Sequence, residues 1–200
     1  MLDKLGARMR EYWHRVALRG AHYSESYQQL DRFYWVRDPW GMATEREQFR
    51  FRATNRIIAE QIGPCGNILE IGCGEGYQSV RLLETCQNLV GIDVSARAVD
   101  RARARCPSAR FITGDVFSKD FGHSLVVADL VVACEVLYYV ADVAAALRRM
   151  EQLGRACLVT YYDGEAVRMR KHLNVVRVLG SEQFEFGDTR WHAAWWRPQS

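Results

Sequence analysis

The sequence contains none of the residue patterns that identify metal-binding, membrane-spanning or nucleic-acid-binding proteins. Its six cysteines include no C-x-x-C pair, and no His/Cys cluster has the spacing of zinc ligands. No stretch approaches the roughly 20 apolar residues that a membrane-spanning helix requires. The net charge of +3 is small and is not concentrated in the basic stripe that nucleic-acid binding usually requires. We therefore expect no metal site, no nucleic-acid partner and no membrane contact.

The amino terminus also lacks the apolar region of a signal peptide, because the segment MLDKLGARMREYWHR alternates charged and apolar residues. Several of the cysteines lie inside apolar runs, where a free thiol behaves as a small hydrophobic group. We therefore expect reduced cysteines and a cytoplasmic protein.

Two zones of different composition make up the chain. Residues 1–64 are rich in aromatic and charged side chains and are predicted to form an N-terminal helical cap that contacts the substrate. Residues 65–200 alternate short apolar runs with amphipathic segments and are predicted to form the main domain.

One helix of the cap has a start signal and a stop signal. Thr44 and Glu47 have the spacing of a capping box, which predicts the start of the helix. Gly63 and Pro64 predict its end.

The main domain is predicted to be α/β. Five apolar runs read as strands, at residues 67–72, 89–94, 109–115, from 128 onward, and 155–162. Strands that alternate with helices pair in parallel through right-handed crossovers, and their apolar sequences indicate a sheet covered on both faces. Near the end of the chain, aromatic-rich runs flank Gly187 and Asp188, a hairpin signal. The expected sheet is therefore mostly parallel, with a C-terminal antiparallel hairpin.

The segment ILEIGCGEGYQSVRLL, residues 68–83, carries three glycines at alternate positions between a strand and a helix. A phosphate-binding P-loop is excluded because no lysine follows the glycines. A dinucleotide site is disfavoured because Tyr77 occupies the position of its third glycine. Glycines also simply permit positive φ angles, so the turn by itself is weak evidence for a ligand.

The pattern Glu70-x-Gly72-x-Gly74-x-Gly76 resembles the first motif of class I S-adenosylmethionine-dependent methyltransferases. In that family the glycine turn lets the backbone approach the methionine and ribose parts of the cofactor. The resemblance implies a Rossmann-like, doubly wound, seven-stranded sheet and S-adenosyl-L-methionine as the cofactor. Residues 65–200 would then be the class I methyltransferase domain.

Three further motifs follow in the family's order, each at the end of a strand. Asp93 would accept hydrogen bonds from the ribose hydroxyls, and Asp115 from the adenine amino group. Either residue alone could be an ordinary turn or loop residue. The run DLVVACEVLYYV places Cys134 and Glu135 beside the transferring methyl group. The cofactor-binding residues implied by the resemblance are Trp40, Arg50, Glu70, Gly72, Cys73, Gly74, Gly76, Asp93, Val94, Asp115, Val116, Cys134 and Glu135.

A narrower resemblance, to the NodS family, rests on DPWGM at 38–42 with Glu47, Arg50 and Phe51, and on EVLYY at 135–139. Members of that family methylate the amine of a de-N-acetylated chitooligosaccharide. The resemblance implies an N-methyltransferase whose acceptor is an amino sugar or a natural-product-like amine. It also suggests that Arg50 holds the methionine carboxylate of the cofactor, although Glu47, three residues earlier, is an alternative partner.

The residues that perform catalysis are less clearly marked. Glu135 and Tyr138 are the candidates, because none of the five histidines lies in a motif. The first alternative is a small-molecule O-methyltransferase that uses a base. The second, of a different class, is a non-catalytic cofactor-binding protein. A nucleic-acid methyltransferase is disfavoured because CEVL occupies the place of an N/D-P-P-Y-type motif. The oligomeric state stays open.

Overall fold

A seven-stranded sheet forms the centre of the computed structural model, which describes residues 27–118, 121 and 126–198. The strand order is β3-β2-β1-β4-β5-β7-β6. The strands are β1 Cys65–Ile71, β2 Cys86–Asp93, β3 Arg110–Thr113, β4 Leu130–Cys134, β5 Cys157–Tyr162, β6 Val178–Phe186 and β7 Thr189–Trp196.

Helices precede the sheet and cover its two faces. They are α1 Tyr27–Phe33, α2 Glu45–Ile57 with a π-helical extension Ile58–Ile62, α3 Tyr77–Leu82, α4 Ala96–Arg105, α5 Val143–Leu153 and α6 Ala166–Leu173, with short 3-10 helices at Leu137–Tyr139 and Asp163–Glu165. Buried residues form one cluster that includes α5 and α6 and another that includes α2 and α3, because the central strands are apolar on both sides. No helix of the described ranges combines the length and the apolar character needed to cross a membrane.

The topology creates a crevice at the centre of the sheet. β1 pairs in parallel with β2 on one side and with β4 on the other. The chain therefore moves outward from β1 to β3 and then returns to start β4 on the opposite side. In sheets of this kind, ligands bind beyond the carboxyl ends of the strands at this switch point.

The predicted fold class is confirmed. The strands β1 to β5 are parallel, and the hairpin of β6 and β7 adds two antiparallel strands next to β5. Gly187 adopts φ 58° in the turn of the hairpin, a left-handed conformation that glycine adopts without strain. The helix α6, between β5 and the hairpin, had no predicted counterpart.

Several predicted boundaries were wrong. The strand β2 starts at Cys86 rather than at residue 89, and β3 ends at Thr113 rather than at residue 115. The first residues of β2 are partly or fully exposed, so they carry no apolar signal, yet Cys86 is in register with Cys65 of β1. Strand pairing thus extends beyond the buried part of the strand, which is the part that a hydrophobic pattern reveals.

The start of α2 was predicted correctly, but the capping box was not. Thr44 occupies the N-cap without a side-chain cap. Its hydroxyl donates instead to the carbonyl of Gly41 at 2.7 Å, and Glu47 is bonded to arginine side chains. The helix ends before Gly63, which has φ 93°, and β1 begins two residues later. The division of the chain into a cap of residues 1–64 and a domain of residues 65–200 stays a prediction.

Candidate active site

A cavity of about 490 Å³ lies at the carboxyl ends of the central strands, beneath α1 and the start of α2. All but one of the predicted site residues line this cavity. The exception is Gly76, which is the N-cap of α3 and approaches the backbone of Ala102 in α4. Sites predicted from separate strand ends therefore converge on one volume.

The three alternate glycines all have left-handed backbones, with φ angles of 73° for Gly72, 53° for Gly74 and 78° for Gly76. A Cβ on Gly72 would lie 2.5 Å from Val136 Cγ2, so the turn also needs glycine for close packing. L-residues with a side chain rarely adopt such backbones. Repeated left-handed glycines bend the chain after β1 and bring its backbone to the cavity wall.

Asp93, at the end of β2, is held by the backbone on both sides. Its Oδ2 accepts from the N–H of Gly74 at 2.9 Å, and its Oδ1 accepts from the N–H of Ser95 at 2.9 Å. Burial raises the pKa of Asp93 to about 6, although these two hydrogen bonds oppose the shift. A carboxylate has about four acceptor positions, so these bonds leave acceptor capacity at the cavity.

Asp115, after β3, makes contacts to the cap and to its own loop. The hydroxyl of Tyr27 donates to Asp115 Oδ2 at 3.0 Å, and the N–H of Phe117 donates to Oδ1 at 2.8 Å. We refer to Gly72, Gly74, Asp93 and Asp115 as the glycine side of the cavity.

The DPWG turn, residues 38–41, covers the glycine side of the cavity. Trp40 Nε1 donates to the hydroxyl of Tyr34 at 3.0 Å, and that hydroxyl would lie 3.0 Å from a Cβ on Gly74. The ring of Trp40 packs on Phe33 at 4.4 Å and on Tyr139 at 5.7 Å between ring centroids. Trp40 therefore lines the cavity and also packs within the cap.

Sequence reasoning missed the role of Glu75, the residue between the last two glycines. Its buried carboxylate accepts from the N–H of Asp38 at 2.9 Å and pairs with Arg101 of α4 at 2.5 Å. Asp38 itself has a left-handed backbone and accepts from the N–H of Met42 at 2.6 Å. Glu75 thus joins the glycine turn to the cap. The sequence signal that could have indicated this role is the presence of an acidic residue inside a glycine-rich turn.

Arg50 of α2 is buried at the cavity wall, with 2% of its side chain exposed. Its Nε pairs with Glu47 at 2.7 Å, and its Nη1 donates to Gln78 Oε1 at 3.0 Å. The predicted alternative, an ion pair with Glu47, is therefore present. The guanidinium has five N–H donors, and its remaining donors include one 3.6 Å contact to the sulfur of Met42.

Glu70, at the end of β1, is a second buried carboxyl of the cavity. It accepts from the hydroxyl of Ser79 in α3. Burial raises the pKa of Glu70 to about 8, against the opposing effects of the Ser79 hydrogen bond and the Arg50 charge. At neutral pH Glu70 is therefore mostly protonated.

Glu135 follows β4 directly and has a left-handed backbone with φ 58°. Its Oε1 accepts from the hydroxyl of Thr160 at 2.9 Å and its Oε2 from the hydroxyl of Tyr138 at 3.2 Å. Burial raises the pKa of Glu135, against the charge of Arg50. Non-glycine residues in such conformations persist where surrounding structure holds them, often at functional sites.

Comparison with known proteins decides the family. Residues 23–157, more than half of the chain, match the family model described as Nodulation protein S (NodS). The chain belongs to the NodS family. The Nodulation protein S of Rhizobium tropici is 33% identical over 129 residues, which cover 64% of this chain and 54% of that protein. The Sinorhizobium fredii protein of that name is 37% identical over 121 residues, which cover 60% of this chain and 56% of that protein.

This NodS-family chain spans about half the length of these curated relatives. Among solved structures, the N-methyltransferase NodS of Bradyrhizobium japonicum WM9, crystallised with S-adenosyl-L-homocysteine, matches with a TM-score of 0.74 and 24% identity. The match covers 88% of this chain and 100% of that chain. This likeness establishes that the two proteins share a fold.

The opposite wall of the NodS-family cavity carries aromatic rings. Tyr138 packs against Tyr139 at 4.8 Å and, edge to face, against Tyr162 at 5.6 Å between centroids. We refer to Glu135, Tyr138, Tyr139 and Tyr162 as the aromatic side of the cavity. Tyr162 was not predicted, because nothing in the sequence places the end of β5 beside the end of β4.

The two described histidines, His172 and His192, do not line the cavity. His192 is buried, stacks on Tyr161, and lies with its Nε2 2.8 Å from Asp163 Oδ1. The histidines at positions 14, 22 and 123 lie outside the described residues, as do the aromatic residues of the cap at positions 12, 13 and 23. In the described part of the chain, no group of three or more His, Cys, Asp or Glu side chains could hold a metal ion.

Proposed function

We propose that this NodS-family chain is an S-adenosyl-L-methionine-dependent methyltransferase that acts on an amine nitrogen of a small molecule, an amino sugar or a similar compound. The observation that carries the proposal is Asp93, a buried carboxylate held by Gly74 and Ser95 at the wall of a large cavity. Its spare acceptor positions suit the two hydroxyls of a ribose.

The residues of the glycine side fit this cofactor. The turn offers backbone that no Cβ obstructs, and Asp115 adds a second acceptor for the adenine amino group. Arg50 has guanidinium donors beyond those that bind Glu47 and Gln78, which would serve the methionine carboxylate. The other proposed contacts come from Trp40, Glu70, Cys73, Val94, Val116 and Cys134, which line the same cavity.

A dinucleotide fits less well. The start of α3, where a pyrophosphate would bind, is occupied by Tyr77, whose ring lies 3.5 Å from the guanidinium of Arg105. α3 is also only six residues long. Neither feature obstructs a cofactor that has no phosphates.

When bound, the cofactor supplies a sulfonium-activated methyl group. The chain then has to align the acceptor and exclude water. Trp40 and the residues of the aromatic side lie around the volume where the acceptor would be held. The acceptor nitrogen would form the new N–C bond with its lone pair as the bond between the methyl group and the sulfonium sulfur breaks and leaves its electron pair on sulfur. The extra proton of the nitrogen would leave to solvent.

An amine is favoured over a hydroxyl by the surroundings of Glu135. An amine with a pKa near 8 is substantially neutral at physiological pH, whereas a hydroxyl profits from a positioned base. The hydroxyl hydrogen bonds to both oxygens of Glu135 favour its ionised form, which opposes proton transfer to it. Tyr138, the other predicted catalytic residue, has a pKa raised well above its ordinary value by burial and by the charge of Glu135, so its hydroxyl stays protonated and cannot act as a base.

Two measurements test the proposal. Calorimetry with S-adenosyl-L-homocysteine and with NAD determines the ligand class, and we expect binding of the first only. Mass spectrometry after incubation with S-adenosyl-L-methionine and a matched amino-sugar and hydroxyl-sugar pair locates the methyl group. Methylation on oxygen, abolished in a Glu135→Ala variant, would identify an O-methyltransferase. Cofactor binding without any product would support a non-catalytic protein.

A further inference from the structure

The charges that line the cavity are unevenly distributed. Among the described residues the lining includes six carboxylic acids and only two basic side chains, Arg46 and Arg50. Both arginines pair with one acid, Glu47, at 3.0 Å and 2.7 Å. The other carboxyl groups of the lining therefore form no ion pair with these two arginines, although the charge of Arg50 acts on Glu70 and Glu135 from a greater distance.

The remaining acids differ in what they bind. Glu75 pairs with Arg101 of α4, and Glu70 is mostly protonated at neutral pH. Asp93 and Asp115 belong to the glycine side, where the proposed cofactor offers hydroxyl and amino donors. Glu135 is left as the carboxylate of the aromatic side, and it forms no ion pair with any residue that the structure describes.

Glu135 is nevertheless held firmly. The hydroxyls of Thr160 and Tyr138 donate to its two oxygens, and its own N–H donates to the carbonyl of Thr160 at 3.0 Å. Thr160 is itself buried in β5. Uncharged donors fix the carboxylate without cancelling its charge, which leaves it able to bind a cation.

The rings next to Glu135 suit the same kind of ligand. Trp40, Tyr139, Tyr138 and Tyr162 form a continuous series in which neighbouring ring centroids lie 5.7, 4.8 and 5.6 Å apart. Aromatic faces attract ammonium groups. A carboxylate beside several rings is a combination that recognises a cationic amine.

We infer that the aromatic side binds the acceptor in its protonated, ammonium form, with Glu135 as the residue that determines this specificity and Thr160 as its positioning residue. The inference rests on the proposed function, because it takes the aromatic side to be the acceptor site. The amine binds as a cation, loses its proton to solvent within the site, and reacts as the neutral amine. Acceptor affinity and turnover therefore change in opposite directions with pH.

Several other ionisable groups surround Glu135 and have to be considered before this pH dependence is assigned to the amine. They are Arg50 and Glu47 from α2, Cys134 from β4, Tyr138 and Tyr139 from the following 3-10 helix, Tyr162 from β5 and Glu165 behind Tyr162. Burial raises the pKa of Cys134 to about 11, and burial also raises the pKa values of the tyrosines. Glu70 of β1, whose pKa burial raises to about 8, also titrates between pH 6.5 and 9. A hydroxyl-sugar probe, which has no titrating group, separates its contribution from that of the amine.

The test measures acceptor binding without turnover, on the full chain saturated with S-adenosyl-L-homocysteine. The probes are a chitotetraose with one free amine at its non-reducing end and a matched tetrasaccharide with a hydroxyl there. We expect the amine to bind more tightly at pH 6.5, and its apparent Kd to rise about tenfold for each pH unit above the amine pKa. Equal Kd values for the two probes, or a Kd independent of pH, would overturn the inference.

Two variants assign the effect to Glu135. Glu135→Gln is expected to weaken amine binding at pH 6.5 about ten- to a hundredfold, the range of a charged hydrogen bond, and to remove the pH dependence. Tyr138→Phe keeps the ring and removes one donor, so a smaller loss is expected. Glu185→Gln, at an exposed site in the hairpin, is the matched control and should behave as wild type.

The outcomes separate this inference from the proposed function. If the amine preference is present but no methylated product forms with S-adenosyl-L-methionine, the proposed function fails and the binding preference stands. If product forms but Glu135→Gln weakens the binding of S-adenosyl-L-homocysteine and not the binding of the acceptor, Glu135 binds the ammonium group of the cofactor and the inference is wrong. Thr160→Val removes one of the two hydroxyl donors to Glu135 and also a hydrogen bond to Cys134, and it should reproduce part of the Glu135→Gln effect on the Kd of the amine probe.

Discussion

The glycine side and the aromatic side of the cavity are built by different means. On the glycine side, backbone N–H groups hold Asp93, and left-handed glycines shape the wall. On the aromatic side, side-chain hydroxyls hold Glu135, and rings from separate elements shape the wall. The first arrangement depends on backbone groups and suits an invariant ligand. The second depends on tertiary packing and can change with the acceptor.

Arg50 connects the two sides, and its replacement is expected to have the largest effect. Removing one partner of a buried ion pair leaves the other charge uncompensated and costs about 3–5 kcal/mol. Arg50→Met would leave the buried Glu47 paired only with Arg46, whose side chain is half exposed, so we expect a loss at or below the lower end of this range. We expect this loss in urea unfolding, together with weaker binding of S-adenosyl-L-homocysteine and faster proteolysis within residues 27–43.

The matched control lies on the same helix. Arg56 pairs with Glu60 and Glu182 at the surface, where ion pairs contribute about 1 kcal/mol or less. Equal losses of unfolding free energy for Arg50→Met and Arg56→Met would contradict this distinction between a buried and a surface ion pair. If S-adenosyl-L-homocysteine protects residues 27–43 equally in wild type and Arg50→Met, Arg50 does not couple the cap to the cofactor.

Gly72→Ala is expected to damage the glycine side next most severely. A left-handed backbone costs an L-residue roughly 1–2 kcal/mol, and overpacking against Val136 adds about 1–3 kcal/mol. Gly187 also has a positive φ, but a Cβ there would meet nothing within 4 Å. Gly187→Ala should therefore show the backbone cost alone. Similar midpoints in thermal unfolding for the two variants would exclude the steric contribution.

Asp93→Ala tests the glycine side through its ligand. Losing a charged hydrogen bond costs about 1.5–3 kcal/mol, so affinity for S-adenosyl-L-homocysteine should fall about ten- to a hundredfold in calorimetry. The pKa of Asp93 is about 6 in the unliganded protein, and the ligand binds the ionised form. Affinity of the wild type should therefore be full above pH 7 and decline as pH falls through 6. The Asp93→Asn variant is expected to fold but carries no charge at this position, so its affinity should not decline as pH falls through 6.

Glu135→Gln is expected to affect kcat least. If the acceptor is an amine, no residue has to remove its proton during transfer, so kcat at pH 9 should stay within about tenfold of wild type. The wild-type kcat should rise with pH through the amine pKa. A steady-state rate profile from pH 6 to 9.5 measures both quantities. Abolished turnover at every pH would make Glu135 a required base and would favour the O-methyltransferase alternative.

The sequence predicted the glycine side almost completely. Glycine spacing and strand-end acids are local signals, so Gly72, Gly74, Asp93 and Asp115 were all found before their positions were known. The sequence did not predict the roles of Glu75 and Tyr27, because these residues bind partners far away in sequence. On the aromatic side, Glu135 and Tyr138 came from one short motif, whereas Thr160 and Tyr162 required knowledge that β5 lies beside β4.

The amino-acid sequence by itself determined the alternation of strands and helices, the parallel sheet with its terminal hairpin, and the turn that only glycine can form. These follow from backbone conformation and from the apolar pattern of adjacent residues, which act within a few positions of the chain. The tertiary structure alone decided that Arg50 is neutralised by Glu47 and faces Gln78, and that Glu135 is held by hydroxyls and not by a cation. Burial and pairing depend on which distant elements meet, because the free energy of a charge is determined by all the groups around it and not by its neighbours in sequence.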